Sequence, residues 1–149
     1  MGQLYAGTAK QSWAKPTVTV NGGSYQNVGA IAGSCRQMGF ISDCWANASG
    51  LSAGGDLHTG GIVGRLDQGA VSNCFTLGAG RLGGGNAIAF QSWNDGAVAA
   101  SADMTGIAQS AKDLFLQSCG WDFADVWDKS GAYPRLRSCD PTAQRAAQA

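Results

Sequence analysis

Three sets of residues carry groups able to do chemistry. His58 is the only histidine and stands two residues from Asp56 in a glycine-rich loop. A Ser–His–Asp hydrolase would need that imidazole as its base. No G-x-S-x-G or comparable nucleophile motif accompanies it, so the pair reads as a solvated loop. Asp122, Asp125 and Asp128 recur every third residue, with Asp113 not far off. Calcium takes six to eight oxygens, often from carboxylates, but EF-hand spacing is absent. The interleaved Trp121, Phe123, Val126 and Trp127 predict a packed turn with its aspartates outside. Ser52 to Leu57 matches only the first half of a calcium nonapeptide, once. Gly80-Arg81-Leu82-Gly83-Gly84-Gly85 lacks the Lys-Ser/Thr of a phosphate loop and reads as a hinge. Trp13, Trp45, Trp93, Trp121 and Trp127 are able to stack on sugars if a groove exposes them. Glycan cleavage would need paired carboxylates, yet the two full repeats described next hold only Asp43 and Asp67, and the chain has no glutamate. These residues predict a protein without catalysis, cofactor or bound metal. Trp45, Phe75 and Trp93 are its candidates for ligand contact.

The elements that must position these groups come from an internal repeat. Gly60-Gly61-Ile62-Val63-Gly64, a polar turn, and Gly69-Ala70-Val71-Ser72-Asn73-Cys74-Phe75 have an upstream partner. It is Gly29-Ala30-Ile31-Ala32-Gly33, a turn, and Gly39-Phe40-Ile41-Ser42-Asp43-Cys44-Trp45. Ile31 falls on Ile62 at an offset of 31 and Cys44 on Cys74 at 30. A period in this range means stacked units, each too small to bury its own apolar face. The repeats span 28–50 and 59–80, and a degenerate third unit at 86–101 keeps Val98 over Val71. Between the first two lies a loop with one short strand. Thr17-Val18-Thr19-Val20 alternates as a half-buried strand, and Asn21-Gly22-Gly23 turns the chain. Residues 1–16 show no repeat; Leu4-Tyr5-Ala6 and Trp13 are candidates for an end strand or cap, and Pro16 punctuates.

A run of four or five residues spans roughly 15 Å. Two or three runs with glycine corners make one coil of a β-solenoid. The predicted core is then Ile31, Ile41, Cys44, Ile62, Val71, Cys74 and Val98, each Ile or Val contributing about 1.5–3 kcal/mol. Trp45 would lie over Phe75. Strict alternation would turn Cys74 away from Val71, whereas a bend at Asn73 turns it inward. The bend is favoured because Asp and Asn suit corners and would be unsatisfied in an apolar core. Cys44 and Cys74 then stack about 5 Å apart, close enough for a bridge. The five cysteines, Cys35, Cys44, Cys74, Cys119 and Cys139, fit no CxxC or zinc pattern. They read either as one or two bridges or as small apolar core residues, with at least one thiol left over.

Beyond the repeats, the stretch Asp103 to Leu116 holds the best helix candidate, with Ile107, Ala111 and Leu114 on one face and Thr105 as N-cap. The expected organisation is a solenoid over 1–101, a C-terminal cap over 102–139 and a tail over 140–149. The 149 residues suffice for one domain. Glycine, at 23, is about twice its usual share. Charged residues are 13%, ten basic against ten acidic. That balance argues against nucleic acid as partner, because phosphate contacts need a basic surface. No apolar run approaches the roughly 20 residues of a membrane helix. Residues 1–10 lack the features of a signal peptide and of a myristoylation site. The chain is therefore expected to be a piece of something longer, or not exported by that route. Asn47-Ala48-Ser49 fits the glycosylation sequon.

The two copies of Gly-Gly-Ile-Val-Gly, turn, Gly-x-Val-Ser-Asn-Cys-Phe resemble the GLUG repeat of bacterial secreted proteins. Repeat one departs with Ala30 and Ala32. The closing stretch, Gly120 to Phe123 through Trp127 to Gly131-Ala132-Tyr133-Pro134-Arg135-Leu136, resembles the segment that ends such arrays. Such repeats occur in filamentous-haemagglutinin-like adhesins and autotransporter passengers. The resemblance implies a right-handed parallel β-helix used as stalk or binding surface, and it supplies no catalytic residues. The expected function is adhesion or rigid scaffolding, secreted or at a cell surface. Its partners would be a protein or glycan on a host or neighbouring cell, with self-association through the solenoid ends. A phage tail-fibre or virion accessory protein is the first alternative, and a carbohydrate-binding or carbohydrate-active β-helix the second.

Overall fold

The structure is a computed structural model that describes residues 2–21, 27–53, 58–78, 88–91, 96–130 and 134–139. Its strands fall into four successive sets. The first is β1 (Gln3–Tyr5), β2 (Thr8–Lys10), β3 (Trp13–Ala14) and β4 (Val18–Val20). The second is β5 (Asn27–Gly29), β6 (Ala32–Arg36), β7 (Phe40–Ser42), β8 (Trp45–Asn47) and, after a 3-10 turn, β9 (Leu51–Ala53). Next come β10 (His58–Gly60), β11 (Val63–Asp67), β12 (Ala70–Ser72) and β13 (Phe75–Leu77), then β14 (Ala89–Gln91), β15 (Ala97–Ala99) and β16 (Ala102–Asp103). The chain continues through α1 (Gln109–Ser118), β17 (Trp127–Asp128) and β18 (Arg135–Leu136).

The fold is largely β, in parallel sheets, with one short helix among the described residues. Three sheets are four strands deep: β1-β6-β11-β14, β2-β7-β12-β15 and β3-β8-β13-β16. Shorter parallel pairs join β5 to β10 and β4 to β9, while β17 and β18 are antiparallel. Register follows the repeat offset: Ala9, Ile41, Val71 and Val98 lie in one column. The Ile31 amide donates to the Ile62 carbonyl and the Ile62 amide to the Ile88 carbonyl, each at 2.9 Å. Ile31, Ile41, Cys44, Ile62, Val71 and Cys74 are buried in a single cluster, and Val98 packs against it half-buried.

The corner between the second and third sheets is made by one residue in the left-handed region. Asp43 and Asn73 both have φ +52°, and Gln11 and Ala100 take the same place at +50° and +46°. A left-handed residue interrupts the period of two, so Cys74 follows Val71 into the core as the favoured bend requires. The Asn73 amide group donates to the Asp43 carboxylate at 3.2 Å, tying one corner to the next. Behind each corner a hydroxyl or thiol donates to the carbonyl two residues back. These pairs are Ser12 to Lys10, Cys44 to Ser42, Cys74 to Ser72 and Ser101 to Ala99. Residues 3–14, where the sequence offered an end strand or cap, thus contain three strands, β1 to β3. Ala9 and Ser12 replace the isoleucine and cysteine that would have revealed them.

The repeat's glycines are places of close approach. A Cβ on Gly64 would lie 2.3 Å from the Val28 amide nitrogen, and one on Gly29 would lie 2.5 Å from the Gly64 nitrogen. The β5–β10 pair therefore presses backbone to backbone on β6 and β11.

Two expectations are corrected. The helix begins at Gln109, and Thr105 does not cap it: its hydroxyl donates to Asp103 and accepts from the Gly78 amide. Its buried residue is Leu116, whereas Leu114 is 68% exposed and Ile107 is also exposed. The reason is tertiary, since the helix packs on an aromatic flank rather than on a core face of its own. The bridge alternative for the cysteines gives way to free thiols at all five positions. Cys44 and Cys74 are nonetheless buried in one cluster, and each thiol donates to the carbonyl two residues back, at 3.1 Å. The Asn21–Gly23 turn, the Gly80–Gly85 hinge and the 140–149 tail fall wholly or partly outside the described residues. No helix among the described residues is long and apolar enough to cross a membrane.

Candidate functional site

The outward side chains of β3, β8 and β13 build an aromatic ladder. Trp13 stacks on Trp45 with ring centroids 5.6 Å apart and planes 10° apart, and Trp45 on Phe75 at 5.6 Å and 6°. Parallel strands at about 4.8 Å place equivalent side chains directly over one another, so in-register aromatics must stack. Residues 102–130 and 134–136 cover much of this ladder. Met104, Leu116, Trp121 and Trp127 join Trp45, Phe75 and Leu77 in a second buried cluster. Trp121 tilts against Phe75 at 5.6 Å and lies 4.5 Å from Trp127. Both deep indoles satisfy their N–H groups across the interface: Trp45 donates to the Pro134 carbonyl at 3.0 Å and Trp121 to that of Asn73 at 2.9 Å. The cap thus lies along the flank of the sheets.

Cover stops at one end. Trp45 and Phe75 are only 4% and 1% exposed, while Trp13 is 44% exposed. Here a cleft of about 230 Å3 opens, lined by Trp13, Lys15, Trp45, Asn47, Pro134 and Arg135. Lys15 and Asn47 follow Trp13 and Trp45 by two residues, which puts them on the same outer face. Pro134 and Arg135 come from the cap. Of the proposed ligand-contact residues, Trp45 lines this cleft, Phe75 is buried beneath the cap, and Trp93 lies outside the described residues. The sequence reading missed Lys15 and Arg135. Arg135 carries no repeat signal, because it arrives from the cap through tertiary packing. Lys15 was legible only as the second residue after Trp13.

The other candidates are placed as follows. His58 is in register with Asn27 one set away, and its Nδ1 lies 3.0 Å from the Asn27 side-chain oxygen. Asp56 lies outside the described residues. Asp122 accepts from the amides of Ala124 and Asp125 at 2.9 and 2.8 Å. Asp128 accepts from the Ser130 amide and hydroxyl, which hold its carboxyl below the usual range. Asp122 and Asp128 each serve their own turn, and among the described residues no three His, Cys or Asp side chains converge on a point suited to a metal. On the first sheet, buried Asp67 lies 3.4 Å from Arg36 and 3.5 Å from Arg65. Arg36 and Asp67 are register partners, 31 residues apart like Ile31 and Ile62, so the repeat alignment already contained this cross-strand pair. Burial raises the Cys35 thiol, and contact with Cys44 together with burial raises that of Cys74. Neither is therefore a ready nucleophile.

Compared with known proteins, the chain matches no family model, no curated protein and no solved structure.

Proposed function

We propose that this chain is a segment of a right-handed parallel β-solenoid of the GLUG-repeat type. In this reading it acts without catalysis, as an adhesive surface or rigid scaffold on a cell surface or in secreted material. The observation that carries the reading is the in-register column. Ala9, Ile41, Val71 and Val98 follow one another through four parallel strands, and the corners repeat with them. Such stacking gives a stiff body whose outward side chains recur at fixed spacing, the property that adhesion and spacing both require. The aromatic flank supports a binding role, since an exposed indole beside polar side chains is a surface for ligands.

The test immobilises the chain on beads and measures retention of bacterial cells, epithelial cells and extracellular-matrix proteins against beads bearing an unrelated β protein. Selective, saturable retention on at least one surface is expected. Retention no greater than the control on every surface would end the adhesive reading. A crystal structure whose successive strand sets wind with the opposite hand would end the right-handed solenoid.

A further inference from the structure

We infer that the cleft between Trp13 and Arg135 binds an acidic saccharide, a sugar ring bearing a carboxylate. The inference deepens the adhesive reading by naming the ligand chemistry. It starts from the ladder, in which the regular stack of flat rings ends at Trp13. That indole is 44% exposed while its neighbour Trp45 is buried. One face of that indole is covered by Trp45, and the exposed remainder of the ring is an apolar surface on which the C–H groups of a sugar can pack. The cleft, at about 230 Å3, has room for a single ring.

Charge supplies the second half of the argument. Two of the lining side chains, Lys15 and Arg135, are cationic and none is acidic. Among the described residues neither cation is held in a salt bridge. Asp128 is the register partner of Arg135 across β17 and β18 and feels its charge as a minor influence, but it forms no salt bridge with it, does not line the cleft, and bonds through its own oxygens to Ser130. A guanidinium beside an apolar wall pairs well with a carboxylate. The Asn47 side chain completes the lining with an amide. Its oxygen is engaged by the Ser49 amide and hydroxyl at 3.1 and 2.6 Å, which leaves its N–H groups to donate to a sugar hydroxyl. A neutral sugar would use the indole and the amide but leave both cations without a role. A planar aromatic acid would use the indole and the cations but leave the amide idle.

The experiment titrates the intact chain with oligogalacturonate, a neutral galactose oligomer of equal length, and benzoate, following tryptophan fluorescence and heat. The uronate is expected to bind at least tenfold more tightly than either other ligand and to weaken several-fold on raising salt from 50 to 500 mM. Trp13→Ala is expected to lower uronate affinity tenfold or more. Lys15→Gln and Arg135→Gln should each lower it several-fold while leaving the weak neutral-sugar binding unchanged. These side chains are exposed, so far-UV circular dichroism and the melting curve of each variant should match the parent. Equal affinity for uronate and neutral oligomer, preference for benzoate, no binding, or unchanged affinity in Trp13→Ala would each overturn the assignment. Bead retention by Trp13→Ala separates the two readings. If it equals the parent's, the cleft fails as the adhesive site while adhesion stands. Uronate binding without any retention would leave the cleft standing and remove adhesion.

Discussion

Asn73 shows how much a single residue decides. At φ +52° it sits where a side chain branched at Cβ is strained, and its amide ties to Asp43. Asn73→Val is expected to cost about 1–3 kcal/mol, whereas Asn73→Gly, free of the strain, should stay within about 1 kcal/mol. Urea denaturation of both variants checks this, and equal losses would show that the corner conformation is unimportant. The buried Cys35 thiol makes a second prediction at this scale. Burial raises its folded pKa, so the folded chain keeps a proton that the unfolded chain releases. Its contribution is fully present below the unfolded thiol value of about 8.5 and is lost as pH climbs above it. Stability should therefore fall as pH rises above about 8.5, with a slope of at most about 1.4 kcal/mol per pH unit. Melts through that rise, repeated on Cys35→Ala, should show a shallower decline in the variant.

Elements are held by two kinds of fit. The first is glycine contact between β5, β10 and the sheet beneath. Gly64→Ala would force a methyl group against the Val28 nitrogen and the Gly33 carbonyl, at 2.3 and 2.6 Å, and backbone cannot rotate away as a side chain can. A loss of about 2 kcal/mol or more is expected, read as a lower urea midpoint. The second is the cap on the aromatic flank. Trp127 is 1% exposed and packs on Trp121. Trp127→Ala should cost about 3–5 kcal/mol and open Trp45 and Phe75 to water. The expected signs are a red-shifted tryptophan emission and binding of a hydrophobic dye, with the strand signal in circular dichroism retained. Loss of the strands along with the cap would show instead that the two fold as one unit. Both fits explain limits of the sequence reading. The motif glycines were visible as punctuation, but their packing role depends on which backbone lies above them. The helix was visible as an apolar spacing, but the face it buries was chosen by the flank it meets.

For the molecule as a whole, the stacked arrangement leaves an end. Strands β1, β2 and β3 each have one edge without a strand partner among the described residues, and Tyr5, Trp13 and Val18 are exposed along that first set. Unpaired edges attract further strands, which supports the proposed self-association through the solenoid ends. Sedimentation should show weight-average mass rising with concentration, and Tyr5→Lys with Val18→Lys should return the chain to monomer. A mass independent of concentration would remove end-to-end contact as a mode of assembly. Binding and assembly would then meet at one place, because Trp13 belongs both to this set and to the cleft.

The repeat by itself put Ile31, Ile41, Cys44, Ile62, Val71 and Cys74 in a common interior. Parallel strands pair at a constant offset, so residues 30 or 31 apart must stack, and burial of Ile31 with Ile62 or of Ile41 with Val71 follows from that arithmetic. The corner at Asn73 was legible for a similar reason: it rests on local backbone preference. Tertiary structure decided what local pattern cannot encode. It recruited residues 3–14 as a strand set despite their lost motif, laid the cap along the flank, buried Phe75, and brought Arg135 beside Trp13. Each of these depends on surfaces far apart in the chain finding complementary shape, and no period in the sequence records which surfaces will meet.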